Sequence, residues 1–208
     1  MILEAKNLHF RYTGRSPYVL KDLSLTVTEG ERVGIVAPSG YGKTTLVKLL
    51  AGHEKPTVGD VLLDGKPLPA KGISPVQLIC QHPEQSINPR WRMDRVLAEA
   101  GQLSEGVLSD MGIEPSWLER YPRELSGGEL QRFCVARALC FETRFLIADE
   151  ISTMLDVITQ AQIWQYLLAQ VETRGLGLVV VTHNPALARR VCTRVEDLRE
   201  INHIEGDL

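Results

Sequence analysis

The feature that most constrains the fold is a glycine-rich segment between an apolar run and a helical pattern. The segment reads Ala37-Pro38-Ser39-Gly40-Tyr41-Gly42-Lys43-Thr44. Residues 32–36 before it predict a buried strand, and residues 43–52 after it predict a helix closed by Gly52. Such a turn points successive backbone N–H groups at phosphate oxygens, and the helix N-terminus adds positive charge there. The segment therefore predicts a phosphate-binding loop in an α/β fold.

Two side chains of this loop carry its expected chemistry. Lys43 is expected to reach the β- and γ-phosphates of a nucleoside triphosphate, and the Thr44 hydroxyl to bind Mg²⁺. We count the following Thr45 among the nucleotide-binding residues. The first glycine of the pattern G-x-x-x-x-G-K-[ST] is Ala37 here. Its methyl group is compatible with the loop if its φ angle is negative.

A second feature is an apolar strand that ends in two acids. Residues 145–148 are continuously apolar, which is typical of a strand covered on both faces, and Asp149 and Glu150 follow. Acids at a strand end can serve solubility alone. Beside a phosphate loop, however, the first acid typically holds Mg²⁺ and the second polarises an attacking water. We therefore predict Asp149 as a magnesium ligand and Glu150 as the general base.

The third feature is the segment Leu125-Ser126-Gly127-Gly128-Glu129-Leu130-Gln131-Arg132. Ser126 and Glu129 have the spacing of a capping box, so the segment predicts the start of a helix. A glycine-rich helix N-terminus is also an anion site, and both interpretations are compatible. With the two features above, it resembles the signature LSGGQ of the ABC (ATP-binding cassette) ATPase family. That resemblance covers nearly the whole chain.

The resemblance implies roles for further residues. Tyr12 looks like the aromatic residue that stacks on adenine, although a simple strand aromatic is the alternative. Gln81 looks like the glutamine that contacts Mg²⁺ and links the nucleotide to a membrane partner. Residues 152–156 resemble the D-loop, whose aspartate is Asp156 here. His183 resembles the switch histidine that contacts the γ-phosphate, whereas a lone histidine at a strand end is usually unremarkable.

In this family two cassettes meet head to tail, and each ATP lies between the loop of one and the signature helix of the other. Ser126, Gly127, Gly128 and Glu129 would therefore act in trans on the opposite site. Because every catalytic position is filled, the resemblance implies ATP hydrolysis with Mg²⁺ as cofactor.

The order of apolar runs predicts the architecture. We expect an α/β fold: a P-loop NTPase (RecA-like) core with a mainly parallel sheet, an N-terminal antiparallel β subdomain and an inserted α-helical subdomain. Residues 1–208 are expected to form a single ABC ATPase domain. Within it, residues 1–83 and 141–208 would form the core with the β subdomain, and residues 84–140 the helical subdomain.

Composition limits the partners. The net charge of -3 and the pI near 6.0 argue against nucleic acid as the main partner. No signal peptide and no membrane-spanning apolar stretch are visible, so docking on another protein is the expected route to a membrane. The cysteines show no paired or metal-type spacing, which favours reduced, mostly buried thiols at Cys80, Cys134, Cys140 and Cys192.

Two segments indicate a branch of the family. Residues 85–90 (QSINPR) and 155–163 (LDVITQAQI) resemble the ATPases of peptide and nickel importers. The resemblance implies a second, different ATPase subunit, two integral membrane permease subunits and an extracytoplasmic substrate-binding protein. It places the chain peripherally at the cytoplasmic face of the cell membrane. The cargo stays open between nickel, a metal chelate and small peptides.

Two alternatives belong to other classes. A non-transport soluble ABC ATPase, of nucleic-acid repair or ribosome-associated type, usually has tandem cassettes, a coiled-coil insertion or zinc-binding cysteines. A P-loop small-molecule kinase would explain the phosphate loop but neither the signature segment nor His183. Transport is therefore the preferred interpretation.

Overall fold

The protein is described by a computed structural model that covers residues 1–103, 105–151 and 155–204. Its strands and helices follow one another along the chain as Ile2–Phe10 (β1), Leu20–Thr28 (β2), Arg32–Val36 (β3), Lys43–Leu50 (α1), Val58–Leu63 (β4), Lys66–Pro67 (β5), Val76–Ile79 (β6), Met93–Ala98 (α2), Val107–Asp110 (α3), Gly127–Ala138 (α4), Phe145–Asp149 (β7), Val157–Arg174 (α5), Gly177–Thr182 (β8), Pro185–Val191 (α6), Arg194–Asp197 (β9) and Leu198–Ile201 (α7). Short 3₁₀ turns lie at Pro83–Gln85, Pro115–Trp117 and Pro122–Glu124.

The central sheet is parallel, as the alternation of strands and helices predicts. Its order is β6-β7-β8-β3-β9, and each of its ladders is parallel. Every residue of β7 and β8 is buried, because elements cover both faces of the sheet. The expected α/β fold with a mainly parallel sheet is confirmed.

A second sheet is antiparallel and is formed by strands from the N-terminal part of the chain, residues 2–67. Its order is β2-β1-β4-β5. Burial alternates along β2, so one face meets the core while the other meets solvent. The buried face packs on α1 through a shared cluster that includes Leu3, Leu23, Leu46 and Leu49. The expected N-terminal antiparallel unit is therefore present.

The middle of the chain is helical. Helices α2, α3 and α4 share a second core cluster with β7, β8 and α5, which includes the fully buried Phe133 and Leu146. The segment that enters α4 pairs with the start of α2, since the Met93 N–H donates to the Arg120 carbonyl at 3.0 Å. These helices confirm an inserted helical unit, and its limits at residues 84 and 140 stay a prediction.

Element ends differ from the sequence prediction by one or two residues. Helix α1 ends at Leu50 rather than at residue 52, and β7 continues through Asp149, one residue beyond the apolar run 145–148. The start of α5 at Val157 has a local cause: the Asp156 carboxylate accepts hydrogen bonds from the N–H groups of Ile158 and Thr159, both at 3.0 Å.

In the described part of the chain, no helix combines the length and apolarity that crossing a bilayer requires. All four cysteines are free; Cys134 and Cys140 are buried, and the other two are half-buried. Burial raises the pKa of Cys192 to about 12. That thiol is therefore protonated at neutral pH and is a weak nucleophile.

Gly59 supplies a test of the packing between β4 and β1. Its φ is +85°, and a methyl group there would lie 2.3 Å from the Asn7 carbonyl oxygen. We expect Gly59→Ala to lower the free energy of unfolding by about 3 kcal/mol or more, because both the backbone and the clash oppose it. Gly65→Ala is the matched control, with φ +73° and no atom within 4 Å, and should cost only about 1 kcal/mol. Equal midpoints in urea for the two variants would contradict this packing.

Candidate functional site

The candidate site forms where the parallel strands end. Strand β8 pairs with both β3 and β7, in a register that places Val36 beside Thr182 and Asp149 beside Val181. The segments that leave these three strands therefore start at the same edge of the sheet. Strand β6 joins this edge beyond β7, so Gln81 follows on the same side. The sheet thus brings together four of the predicted motifs.

The phosphate loop encloses the side chain of Lys43. Lys43 is 7% exposed, and its Nζ donates to the carbonyl oxygens of Ala37 and Pro38, both at 2.9 Å. The two loop glycines, Gly40 and Gly42, have φ angles of +87° and +88°. Ala37 is buried and is absent from the described non-glycine residues with positive φ. The expectation that a methyl group is tolerated there is met.

Glu150 lies between Lys43 and His183. One carboxylate oxygen is 3.9 Å from Lys43 Nζ, and the other is 3.4 Å from His183 Nδ1. The φ of Glu150 is +49°, which is uncommon for a residue other than glycine. Its N–H donates to the Val181 carbonyl at 2.9 Å, which holds this backbone in place. Strain of this kind is often concentrated at functional sites.

Asp149 and Thr44 form an oxygen-rich pair. Asp149 is 6% exposed, and this burial raises the pKa of its carboxyl above the ordinary value. A hydrogen bond from the Thr44 side chain acts in the opposite direction, and the charge of Glu150 raises the pKa further. A hydroxyl beside a carboxylate is a hard oxygen donor set, which Mg²⁺ prefers. The residues present therefore fit the expected metal.

Tyr12 reaches the phosphate-loop helix from the antiparallel sheet. Its hydroxyl lies 2.9 Å from Thr45 Oγ1, within hydrogen-bond distance, and its ring meets the Phe10 ring edge-on at a centroid separation of 5.0 Å. The side chain is nevertheless exposed, with 59% of its surface open. A ring that is oriented yet open offers a face on which a base can stack.

The signature segment begins α4 as the capping box predicts. The Ser126 N–H donates to Glu129 Oε2 at 2.6 Å, and the Glu129 N–H donates back to Ser126 Oγ at 3.3 Å. Gly127 and Gly128 form the first turn. A cleft of about 310 Å³ adjoins this turn and includes Asp156 in its lining. Within the described residues, no hydrogen bond or ion pair joins residues 126–129 to residues 37–45.

Only part of the predicted D-loop, residues 152–156, lies within the described residues. Residues 152–154 lie outside the described residues, whereas Asp156 caps α5. Sequence reasoning also missed Lys48, whose charge lowers the pKa of Asp149. Its position four residues after Thr44, on the same face of α1, is the signal that could have indicated it.

Comparisons with known proteins match most of the chain. The family model described as ABC transporter matches residues 20–153. The Nickel import system ATP-binding protein NikE of Staphylococcus aureus is 35% identical over 213 residues, which cover 96% of this chain and 87% of that protein. The Nickel import ATP-binding protein NikE of Rhodospirillum rubrum is 35% identical over 92% of this chain and 77% of its own length.

Solved structures give the same result. The dimeric structure of MJ0796, a bacterial ABC transporter cassette, superimposes with a TM-score of 0.80 at 27% identity, covering 94% of this chain and 93% of that one. A structure of the same cassette in a post-hydrolysis state with ADP and phosphate gives a TM-score of 0.77 at 26% identity, over 94% of this chain and 93% of that one.

Glu129 makes the capping box testable. The backbone N–H of Ser126 holds the pKa of the Glu129 carboxyl below its usual range. We expect Glu129→Ala to lower the free energy of unfolding by about 0.5–1 kcal/mol at neutral pH, because the Ser126 N–H loses its acceptor. Because the pKa of Glu129 is lower in the folded chain than in the unfolded chain, the carboxylate stabilises the fold fully at pH values above the unfolded pKa of about 4.3. This stabilisation is lost as the pH falls through the pKa of the folded chain. Denaturant midpoints between pH 7 and pH 3 measure it.

The control is Glu129→Gln, which keeps an acceptor oxygen but does not titrate. It should lose less stability than the alanine variant. A difference between wild type and alanine that is unchanged down to pH 3 would show that the carboxylate does not support the cap.

Proposed function

The chain belongs to the ABC transporter family of ATP-hydrolysing subunits, and on this premise we propose that it energises an importer of nickel, a metal chelate or small peptides. Its two NikE relatives are named as nickel import proteins. Residues 85–90 and 155–163 resemble importer ATPases in the same way. The placement of Lys43, Glu150 and His183 at one edge of the sheet is the observation that carries the ATP hydrolysis by which it would energise import.

Nucleotide binding is proposed to involve the loop 37–45 and Tyr12. The backbone N–H groups of the loop and the Lys43 ammonium would hold the phosphates. The exposed ring of Tyr12 would stack on the adenine. Lys43 already lies between loop carbonyls and Glu150, so its charge faces the expected position of the phosphates.

The metal is proposed to bind to Thr44 and Asp149, with Gln81 beside them. When bound, Mg²⁺ would neutralise charge on the β- and γ-phosphates. The observed contact between Thr44 and Asp149 supports this assignment.

Hydrolysis is proposed to depend on Glu150. Its carboxylate would take a proton from a water molecule while the water oxygen bonds to the γ-phosphorus. The bond from that phosphorus to the β–γ bridging oxygen would break, releasing ADP and phosphate. His183, at 3.4 Å from Glu150, would orient that carboxylate and contact the γ-phosphate.

The signature helix is proposed to act on the nucleotide of a second cassette. Residues 126–129 form a capped helix N-terminus, which attracts anions. Among the described residues, no hydrogen bond joins residues 126–129 to loop 37–45 of the same chain. We therefore propose that this helix N-terminus binds the nucleotide of a partner cassette. The second cassette is proposed to be a different chain.

Two integral membrane permease subunits and an extracytoplasmic binding protein would complete the system. The chain would lie at the cytoplasmic face of the membrane and attach through the permeases. No nucleic-acid partner is proposed. A soluble ABC ATPase without cargo is the competing function, and it would need neither permease.

The general base can be tested by Glu150→Gln. We expect ATP turnover to fall at least about 100-fold, because the amide cannot accept the proton from water. Affinity for ATP should be kept, since Lys43 and the loop are unchanged. Steady-state phosphate release and equilibrium binding of ATP measure the two effects. Glu142→Gln is the matched control, because Glu142 is exposed and precedes the same strand.

In that experiment, wild-type turnover by Glu150→Gln would overturn the assignment of the base. Turnover that falls equally in Glu142→Gln would show a loss unrelated to the site.

The partners can be tested by purification of the tagged chain from detergent-solubilised membranes of its host. We expect two integral membrane proteins and a second ABC ATPase to co-purify, and alkaline washing to strip the chain from unsolubilised membranes. Recovery in the soluble fraction with ribosomes or DNA would instead support the soluble alternative. Uptake of nickel and of dipeptides, compared between cells with and without the chain, then assigns the cargo.

A further inference from the structure

Asn202 is a buried polar residue outside every motif described above. It follows α7 and is 7% exposed. Its Oδ1 accepts a hydrogen bond from the Lys21 N–H at 2.9 Å, and its Nδ2 donates to the Val19 carbonyl at 3.1 Å. The next residue adds a third bond, from the His203 N–H to the Lys21 carbonyl at 3.0 Å. A buried amide bonded at both ends fixes two backbone segments relative to each other.

The segment to which Asn202 is hydrogen-bonded packs beside the phosphate loop at Gly42. Gly42 precedes α1, and a methyl group on it would lie 3.1 Å from the Val19 carbonyl oxygen and 3.0 Å from Leu20 Cδ2. The space beside Gly42 is therefore bounded by Val19 and Leu20, including the same carbonyl that Asn202 binds. A shift of Val19 would change the space available to the loop at Gly42.

The other end of this C-terminal segment is attached to the strand that leads into the loop. Strand β9 pairs with β3 in a register that places Asp197 beside Val36, the residue before the loop. Leu198 then enters the core cluster below the loop and is fully buried. Residues 194–204 thus connect β3 to the beginning of β2, and the phosphate loop lies against both.

We propose that Asn202 is a positioning residue for ATP binding, which fixes Val19 against Gly42 and so holds the loop in its phosphate-binding shape. The inference rests on the proposed assignment of residues 37–45 as the nucleotide loop. The N–H groups of such a loop bind phosphate best when their directions are fixed before binding, because ordering them afterwards reduces affinity.

The test is Asn202→Ala in the full-length chain, with binding of a non-hydrolysable ATP analogue and Mg²⁺ measured by calorimetry. We expect the Kd to rise about fivefold to tenfold, since two partly buried backbone groups lose their partners. The KM for ATP should rise in parallel, while kcat at saturating ATP stays within about twofold, because Glu150 and His183 are unaffected. Asn202→Asp keeps the acceptor for Lys21 but not the donor to Val19, so its Kd should also rise. It supplies the measurement if the alanine variant does not fold.

Thr143→Val is the matched control for general destabilisation. Thr143 is fully buried, and its hydroxyl donates to the Ala138 carbonyl at 2.7 Å, away from the loop. This variant should melt at a lower temperature and keep the wild-type Kd. An unchanged Kd in the Asn202 variants, or an equal rise in Thr143→Val, would overturn the positioning role. A wild-type chain that binds no nucleotide would instead overturn the nucleotide loop itself.

Discussion

In the parallel sheet, β8 hydrogen-bonds to β3 on one side and to β7 on the other, and this ladder sets the positions of the segments that follow each strand. Val36 ends β3 and Asp149 ends β7, the two strands that flank β8. The phosphate loop and the acidic pair therefore begin at the same level of the sheet. His183 leaves β8 between them. The contacts of Glu150 with Lys43 and His183 follow from this register. A slip in either ladder would separate residues that are far apart in sequence.

Several groups of the site would lower the stability of the fold if they lacked their present partners. Asp149 is buried close to a second carboxylate, and Glu150 holds a left-handed backbone. Lys43 supplies a nearby positive charge, while the Val181 carbonyl fixes the Glu150 N–H. The signature helix, by contrast, satisfies its own N-terminus through Ser126 and Glu129. A helix N-terminus that is capped within its own chain is compatible with the proposed half-site for a second cassette.

The sequence was sufficient for features that depend on local pattern. The strands predicted from apolar runs, β3 and β7, are confirmed within one residue, and the capping box at Ser126 has the predicted bonds. Features set by long-range contacts were not visible in it. The positive φ of Glu150 depends on its bond to β8, and the role of Asn202 depends on residues about 180 positions earlier in the chain. Single side chains of common type give no local signal for such contacts.

A crystal structure of the wild-type chain with Mg²⁺ and a non-hydrolysable ATP analogue tests the proposed nucleotide site most directly. We predict the triphosphate against residues 37–45, the metal between Thr44 and Asp149, and the γ-phosphate facing Glu150 and His183. We also predict a signature helix of a second cassette on the far side of the nucleotide. A nucleotide bound elsewhere, or a γ-phosphate remote from Glu150, would contradict the proposed site.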